Sequence, residues 1–294
     1  MSKTVLIKSG VHANPRKRIL ISTPTLGVIR YEWAAVRFGQ VIPCNWSSTT
    51  TATGIGNVVP MHYLVADAQN LSVQYALTNN FEWLLFWEDD VIPPIDTFLR
   101  LNEYMKKGTV PIVSGLYFTK GEYSEPILYM GRGTSCFCKF KMGEKVWVDG
   151  VPTGMLLIHT SILKVMWQES EEYTTLGNLK TRQVFDSPAD VFYDPQTHDP
   201  RTAAGTSDLQ FCTRVMKEKV LVKAGWPKIA KKKHPFLCDT RIFCKHIDLN
   251  TGKQYPTQLP TPWIKQIKET QLKEIRASHR NPRRRRYAEQ ITIG

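Results

Sequence analysis

Apolar positions fall in short blocks along the chain, and the spacing inside each block assigns its element. Arg18 to Pro24 (R-I-L-I-S-T-P) is an apolar run ending at a proline, which predicts a buried first strand opening into a loop at Thr23-Pro24-Thr25. From Pro60 to Thr78 the spacing changes: Met61, Leu64, Val65, Ala68, Leu71, Tyr75 and Ala76 recur at three- and four-residue steps, a helical period with Pro60 suited to the first turn. Asn79-Asn80 breaks that helix, and Phe81 to Trp87 reads as a second buried strand. Asp96 to Met105 predicts a helix capped by Asp96 and ended by Gly108, and Val110 to Leu116 a third strand whose early proline marks its start. Val146–Val148 and Met155–Ile158 read as short strands, Thr160–Gln168 as a helix, Asp208–Lys217 as another, and Val220–Ala224 as a late strand. Residues 169–206 are polar and interrupted by Pro and Gly, and are expected to be irregular. Strands alternating with helices give an α/β class with a mainly parallel sheet.

The second strand poses a chemical problem. W-L-L-F-W runs directly into Glu88, Asp89 and Asp90, then V-I-P-P. Three adjacent carboxylates repel one another, so they need full solvation, a bound cation or basic partners. Alternation along an extended chain places Glu88 and Asp90 on one side and Asp89 on the other. In open α/β sheets ligands bind beyond the carboxyl ends of the strands, where this cluster is expected. Two hard oxygen donors two residues apart suit magnesium or manganese shared with a diphosphate. The competing reading is a solvated acidic turn ahead of the helix near Asp96.

Composition narrows the partners. The 294 residues are 42% hydrophobic, enough for a substantial core, and carry a net charge of +13. From Thr251 onward, ten Lys/Arg stand against three Asp/Glu, so the basicity is concentrated at the C-terminus without being confined to it. A polyanionic partner is one explanation and a solvated tail the other. Six scattered cysteines are too few for a disulfide framework, and Cys136 and Cys138 lack the usual zinc spacing, so reduced thiols are expected. The N-terminal residues do not read as a signal peptide, and no run approaches the ~20 apolar residues of a membrane helix. A soluble, cytoplasmic protein without membrane insertion is the expectation.

W-L-L-F-W-E-D-D-V-I-P-P resembles the D-x-D region of glycosyltransferases with the GT-A fold, especially family-2-like members. The resemblance implies a Rossmann-like GT-A domain over 18–250, with a lead segment at 1–17 and a linker, helix and basic tail over 251–294. It implies that Asp90 binds the metal, that Glu88 contacts the metal or the nucleotide ribose, and that Asp89 belongs to the same cofactor-binding stretch. Further segments follow in the family's order. R-I-L-I-S-T-P-T places Pro24 and Thr25 in the loop that packs on the nucleotide, and Q-N-L places Asn70 near the base. V-D-G-V-P-T-G-M-L-L-I resembles the strand lining the donor and acceptor sites, with Gly154 allowing close backbone approach. G-T-S-D-L-Q-F-C-T-R resembles the acidic helix start of inverting members, which implies Asp208 as general base with Ser207 in place of the usual first acid. F-C-K-H-I-D implies His246 as a further metal ligand.

By that resemblance the donor is a nucleoside-diphosphate sugar, UDP-linked by expectation, the cofactor is manganese or magnesium, and the acceptor is a hydroxyl. R-K-R at 16, K-K-K at 231 and R-R-R-R at 283 suit phosphates, and viral relatives that glycosylate hydroxymethylated DNA bases would suit such a surface. In that case the setting is host cytoplasm. A carbohydrate or other hydroxylated acceptor, a non-catalytic nucleic-acid-binding module on a degenerate scaffold, and a metal-dependent nuclease remain as alternatives. Nothing in the sequence speaks to oligomeric state.

Overall fold

The computed structural model describes residues 19–46, 51–52, 60–131, 136–193, 200–204 and 206–258. In chain order, β1 (Ile19–Ser22), α1 (Tyr31–Phe38) and β2 (Thr51–Ala52) lead to α2 (Val65–Thr78) and β3 (Trp83–Trp87). β4 (Val91–Ile92), α3 (Thr97–Lys107), β5 (Ile112–Leu116), β6 (Lys145–Val148), β7 (Met155–His159) and α4 (Thr160–Glu169) follow. Two hairpins come next, β8 (Glu172–Thr174) with β9 (Lys180–Arg182), and β10 (Ala189–Tyr193) with β11 (Pro200–Ala204). The described chain closes with α5 (Ser207–Lys217), α6 (Val220–Lys223), α7 (Pro227–Ala230), β12 (Phe236–Phe243), β13 (Lys245–Ile247) and β14 (Gln254–Tyr255).

The main sheet has seven strands in the order β2-β1-β3-β7-β5-β12-β6. Five run in one direction, while β7 and the edge strand β6 run against them, so the class is mixed α/β. Period-two alternation sends each strand's side chains to two apolar layers. Trp83, Leu85 and Trp87 of β3 join Trp33 of α1 and Phe98, Leu101 and Met105 of α3 on one face. Leu84 and Phe86 join Val73 and Ala76 of α2, Ile162 and Met166 of α4, and Phe211 and Val215 of α5 on the other. A strand buried on both faces has no polar side to show, hence the unbroken apolar runs.

Several elements depart from the sequence expectation. Helix α2 begins at Val65 rather than Pro60, because the preceding residues form bends, with His62 at φ 64° and Met61 bridged to Thr25. Gly108 ends α3 in the left-handed region as expected, but Asp96 pairs with Arg100 at 2.6 Å instead of capping a backbone N–H. Val220–Lys223 is helical, not a strand: Lys219, at φ 55°, turns the chain out of α5, and the Ala224 amide then closes onto the Val220 carbonyl at 2.8 Å. Three apolar letters cannot distinguish those outcomes. The stretch over 169–206 holds two hairpins instead of irregular chain.

Helix α1 and strand β12 had no sequence expectation. In β12 the polar letters Asp239 and Arg241 hide the pattern; Asp239 is fully buried because Arg241, at 2.6 Å, and the Tyr104 hydroxyl, at 2.7 Å, satisfy it. The lead segment 1–17, the R-K-R at 16, the helix expected over 263–277 and the R-R-R-R at 283 lie outside the described residues. A small sheet, β14-β13-β4, ties residues past 250 to the turn after β3. Among the described residues no helix is long and apolar enough to cross a membrane.

Candidate active site

The carboxyl ends of β1, β3, β5 and β12 and the start of β7 lie at one end of the sheet, and the acidic turn is fixed there by its backbone. The Glu88 amide donates to the Gly154 carbonyl at 3.0 Å, and the Glu88 carbonyl accepts from the Trp33 indole at 2.9 Å and the Val91 amide at 3.2 Å. The Trp87 indole donates to the Val91 carbonyl at 2.8 Å, and the Ile247 amide to the Asp90 carbonyl at 2.7 Å. Because the chain turns immediately after Trp87, strand alternation stops there. Asp89 therefore does not face away; Glu88, Asp89 and Asp90 all line one cavity of about 370 Å3.

Pro24, Thr25, Leu26, Tyr63, Val65, Tyr117, Thr153, Ser207 and Asp208 complete much of its wall. The expected residues Pro24, Thr25, Glu88, Asp89, Asp90 and Asp208 thus share a single space. Asn70 does not join them. It is fully buried and locked to Phe185, accepting from its amide at 2.8 Å and donating to its carbonyl at 2.9 Å, so its role is structural. Gly154 acts by what it leaves out: a Cβ there would collide with the Tyr117 hydroxyl and come within 2.9 Å of Glu88 Oε2. The Tyr117 hydroxyl fills that space and accepts from the Gly154 amide at 2.9 Å.

Each carboxylate has its own partner, which answers how three can adjoin. Glu88 Oε1 accepts from Thr153 at 3.0 Å, and Gln69 supports Thr153 at 3.1 Å. Asp89 is hydrogen-bonded to Thr25. Asp90 Oδ2 meets Lys120 Nζ at 2.6 Å and His246 Nε2 at 3.0 Å. Burial, then the charges of Asp90, Asp208 and Asp89, push Glu88 up to about 8. Burial also raises Asp89 and Asp208. For Asp90, burial acts upward but His246 and Lys120 outweigh it and hold the carboxyl below its ordinary value.

A protonated Glu88 in the folded protein has a consequence for stability. The folded state holds this proton more tightly than the unfolded chain, so Glu88's contribution is complete below its ordinary value of 4.5 and is lost as pH rises toward about 8. In chelator, the melting temperature should fall over that window, and Glu88→Gln should flatten the fall. Parallel curves for the two proteins would refute the assignment.

The residues suit a divalent cation on two observations. The His246 ring is held by its Nδ1 at 2.8 Å from the Phe118 carbonyl. A carbonyl only accepts, so Nδ1 carries the proton and Nε2 faces Asp90, the second-sphere arrangement common to metal-ligating histidines. A proton or a cation must lie between that nitrogen and the carboxylate. Asp90 Oδ1 and Asp89 Oδ2 are also buried without a hydrogen-bond partner. No set of three or more His, Cys, Asp or Glu arranged around a common ion occurs among the described residues, so a cation here would take its remaining ligands from substrate oxygens or water.

No family model matches the chain, and no curated protein matches it. Among solved structures, the crystal structure of A197 from STIV is similar to it at 15% identity and a TM-score of 0.42, over 79% of this chain and 87% of that one.

Tyr117, Lys120 and Thr153 escaped the sequence reading. Thr153 stands next to Gly154 in a stretch already singled out, and Lys120 and Tyr117 follow β5 at the end of the sheet where ligands are expected. Position at a strand end was the one signal that pointed to them.

Proposed function

We propose that the chain is a divalent-cation-dependent inverting glycosyltransferase of the GT-A, family-2-like class, moving a sugar from a nucleoside-diphosphate sugar to an acceptor hydroxyl. The observation that carries this reading is the convergence of Thr25, the Glu88–Asp90 turn and Asp208 on one cavity, with His246 on Asp90. Asp90 and His246 would hold the cation, with Glu88 beside them; when bound, it supplies positive charge to the leaving diphosphate. Leu26 and Val65, both exposed, give the cavity an apolar rim for the nucleoside, and Pro24 and Thr25 form the loop under it.

Asp208 projects from the first turn of α5 and accepts from the Leu209 amide at 2.8 Å. Its raised pKa makes it a stronger base than an exposed aspartate. It takes the proton of the acceptor hydroxyl while that oxygen bonds to the anomeric carbon. The bond from that carbon to the diphosphate oxygen breaks, and the diphosphate leaves with the electron pair. Attack opposite the leaving group inverts the anomeric centre.

For the acceptor, the class we favour for testing is a hydroxymethylated base in DNA, with a carbohydrate or other hydroxylated acceptor as the second arm. Lys231, Lys232 and Lys233 are all exposed, which supports a phosphate-facing surface.

The test is a thermal-shift panel of nucleotide sugars with and without manganese. A ligand at a hundred times its Kd stabilises by about 2.7 kcal/mol, a shift of several degrees. One sugar nucleotide should give that shift in manganese alone and should release sugar slowly to water. No shift and no hydrolysis across the panel would overturn the reading and favour a non-catalytic scaffold.

A further inference from the structure

We propose that Lys120 is a resident counter-ion of Asp90 that a divalent cation must displace, and that the displaced ammonium then binds the donor's diphosphate. The inference rests on the reading of the site given above and adds a residue to it.

Lys120 and His246 share a single oxygen, Asp90 Oδ2, at 2.6 Å and 3.0 Å, while Oδ1 of the same carboxylate is buried without a partner. A cation seated between Asp90 and His246 would lie against the ammonium, and like charges at that separation repel strongly in a partly buried site. Lys120 must therefore move for the cation to bind.

The local structure allows that movement without disturbing His246. Residues 119–125 form a turn closed by the Thr119 amide on the Glu125 carbonyl at 2.8 Å and the Glu125 amide on Thr119 Oγ1 at 3.0 Å. Below it, Phe118 bridges Pro126, and the Ile127 amide donates to the Tyr117 carbonyl at 3.0 Å. The Phe118 carbonyl that holds the His246 ring belongs to this pinned base, whereas the Lys120 side chain, 31% exposed, rises from the turn on a flexible four-carbon stem. Its charge acts on Asp89 and Asp248 as well as Asp90, so other carboxylates lie within its field once it leaves Oδ2.

Released, the ammonium remains tethered close to Asp90, which lines a cavity whose acidic wall the cation has just neutralised. A diphosphate is the polyanion that site would then receive, and a lysine serves phosphate as a point charge. Lys120 is in this sense a positioning residue for the leaving group, held in reserve until the cation arrives.

The experiment measures manganese affinity by electron paramagnetic resonance, and then inorganic pyrophosphate affinity at saturating manganese, so that nucleoside identity does not enter. Lys120→Met and Lys120→Arg are compared with the unaltered protein, with melting temperatures as the folding control. Lys120→Met should bind manganese about tenfold more tightly and pyrophosphate about tenfold more weakly, a factor that corresponds to 1.4 kcal/mol in each case. Lys120→Arg, which keeps the charge, should restore both. Equal manganese affinity in all three proteins would overturn the inference while leaving the donor reading intact. Tighter manganese with unchanged pyrophosphate would overturn the handover to diphosphate. If none of the three binds manganese, with or without pyrophosphate, the inference and the cation's place in the proposed function both fail.

Discussion

Replacing Asp90 with alanine should abolish measurable sugar transfer, lowering turnover by about 10²–10³-fold or more, the range for losing one preorganised charge-stabilising group. Asp90 is the carboxylate on which two side chains meet: Lys120 and His246 both lie at its Oδ2. Truncation leaves two positive or polar groups facing each other and removes the oxygen donor. The fold should survive, because the turn is held by backbone and indole contacts, including the Ile247 amide on the Asp90 carbonyl, that do not involve the side chain. A melting temperature within a few degrees of the parent, combined with lost transfer and lost manganese-dependent donor binding, is the expected pattern. Turnover within tenfold of the parent would remove Asp90 from the mechanism.

Asp208→Asn should produce an equally large loss by a different route. Asparagine keeps the shape and still accepts from the Leu209 amide, but it cannot take a proton from the acceptor. General-base removal costs about 10²–10⁴-fold. Donor binding should persist, since Asp208 lies on α5 and Asp90 is bonded instead to Lys120 and His246. The parent rate should also fall as pH drops through the raised Asp208 value, because the protonated acid accepts nothing; the asparagine variant should lack that limb. Near-normal turnover in Asp208→Asn, or an unchanged acid limb, would mean another group serves as base.

The extent to which this site was legible depends on range. Thr25, Glu88, Asp90 and Asp208 stand at ends of elements whose patterns are strong: unbroken apolar runs for β1 and β3, and an amphipathic segment for α5. Position at a strand end nominated Glu88 and Asp90, whereas Thr25 and Asp208 were nominated by the resemblance of their segments to the glycosyltransferase family. Asn70 sits inside α2, where helical spacing cannot say which face meets solvent, and the structure turns it toward Phe185. The Val220–Lys223 run failed for a related reason, since its fate was decided by the left-handed Lys219 before it and by the layer it packs on.

By itself the sequence determined that β1, β3, β5 and β7 are buried strands, where α3 stops, and that three acids follow Trp87, because these depend on side chains within a few residues of one another. Only the tertiary structure decided that β7 inserts antiparallel between β3 and β5, carrying Gly154 to Glu88, and that β12 and β13 deliver His246 to Asp90 across 156 residues. Such meetings are selected by the packing of two apolar layers and by the pairing of buried polar groups, which no local window contains.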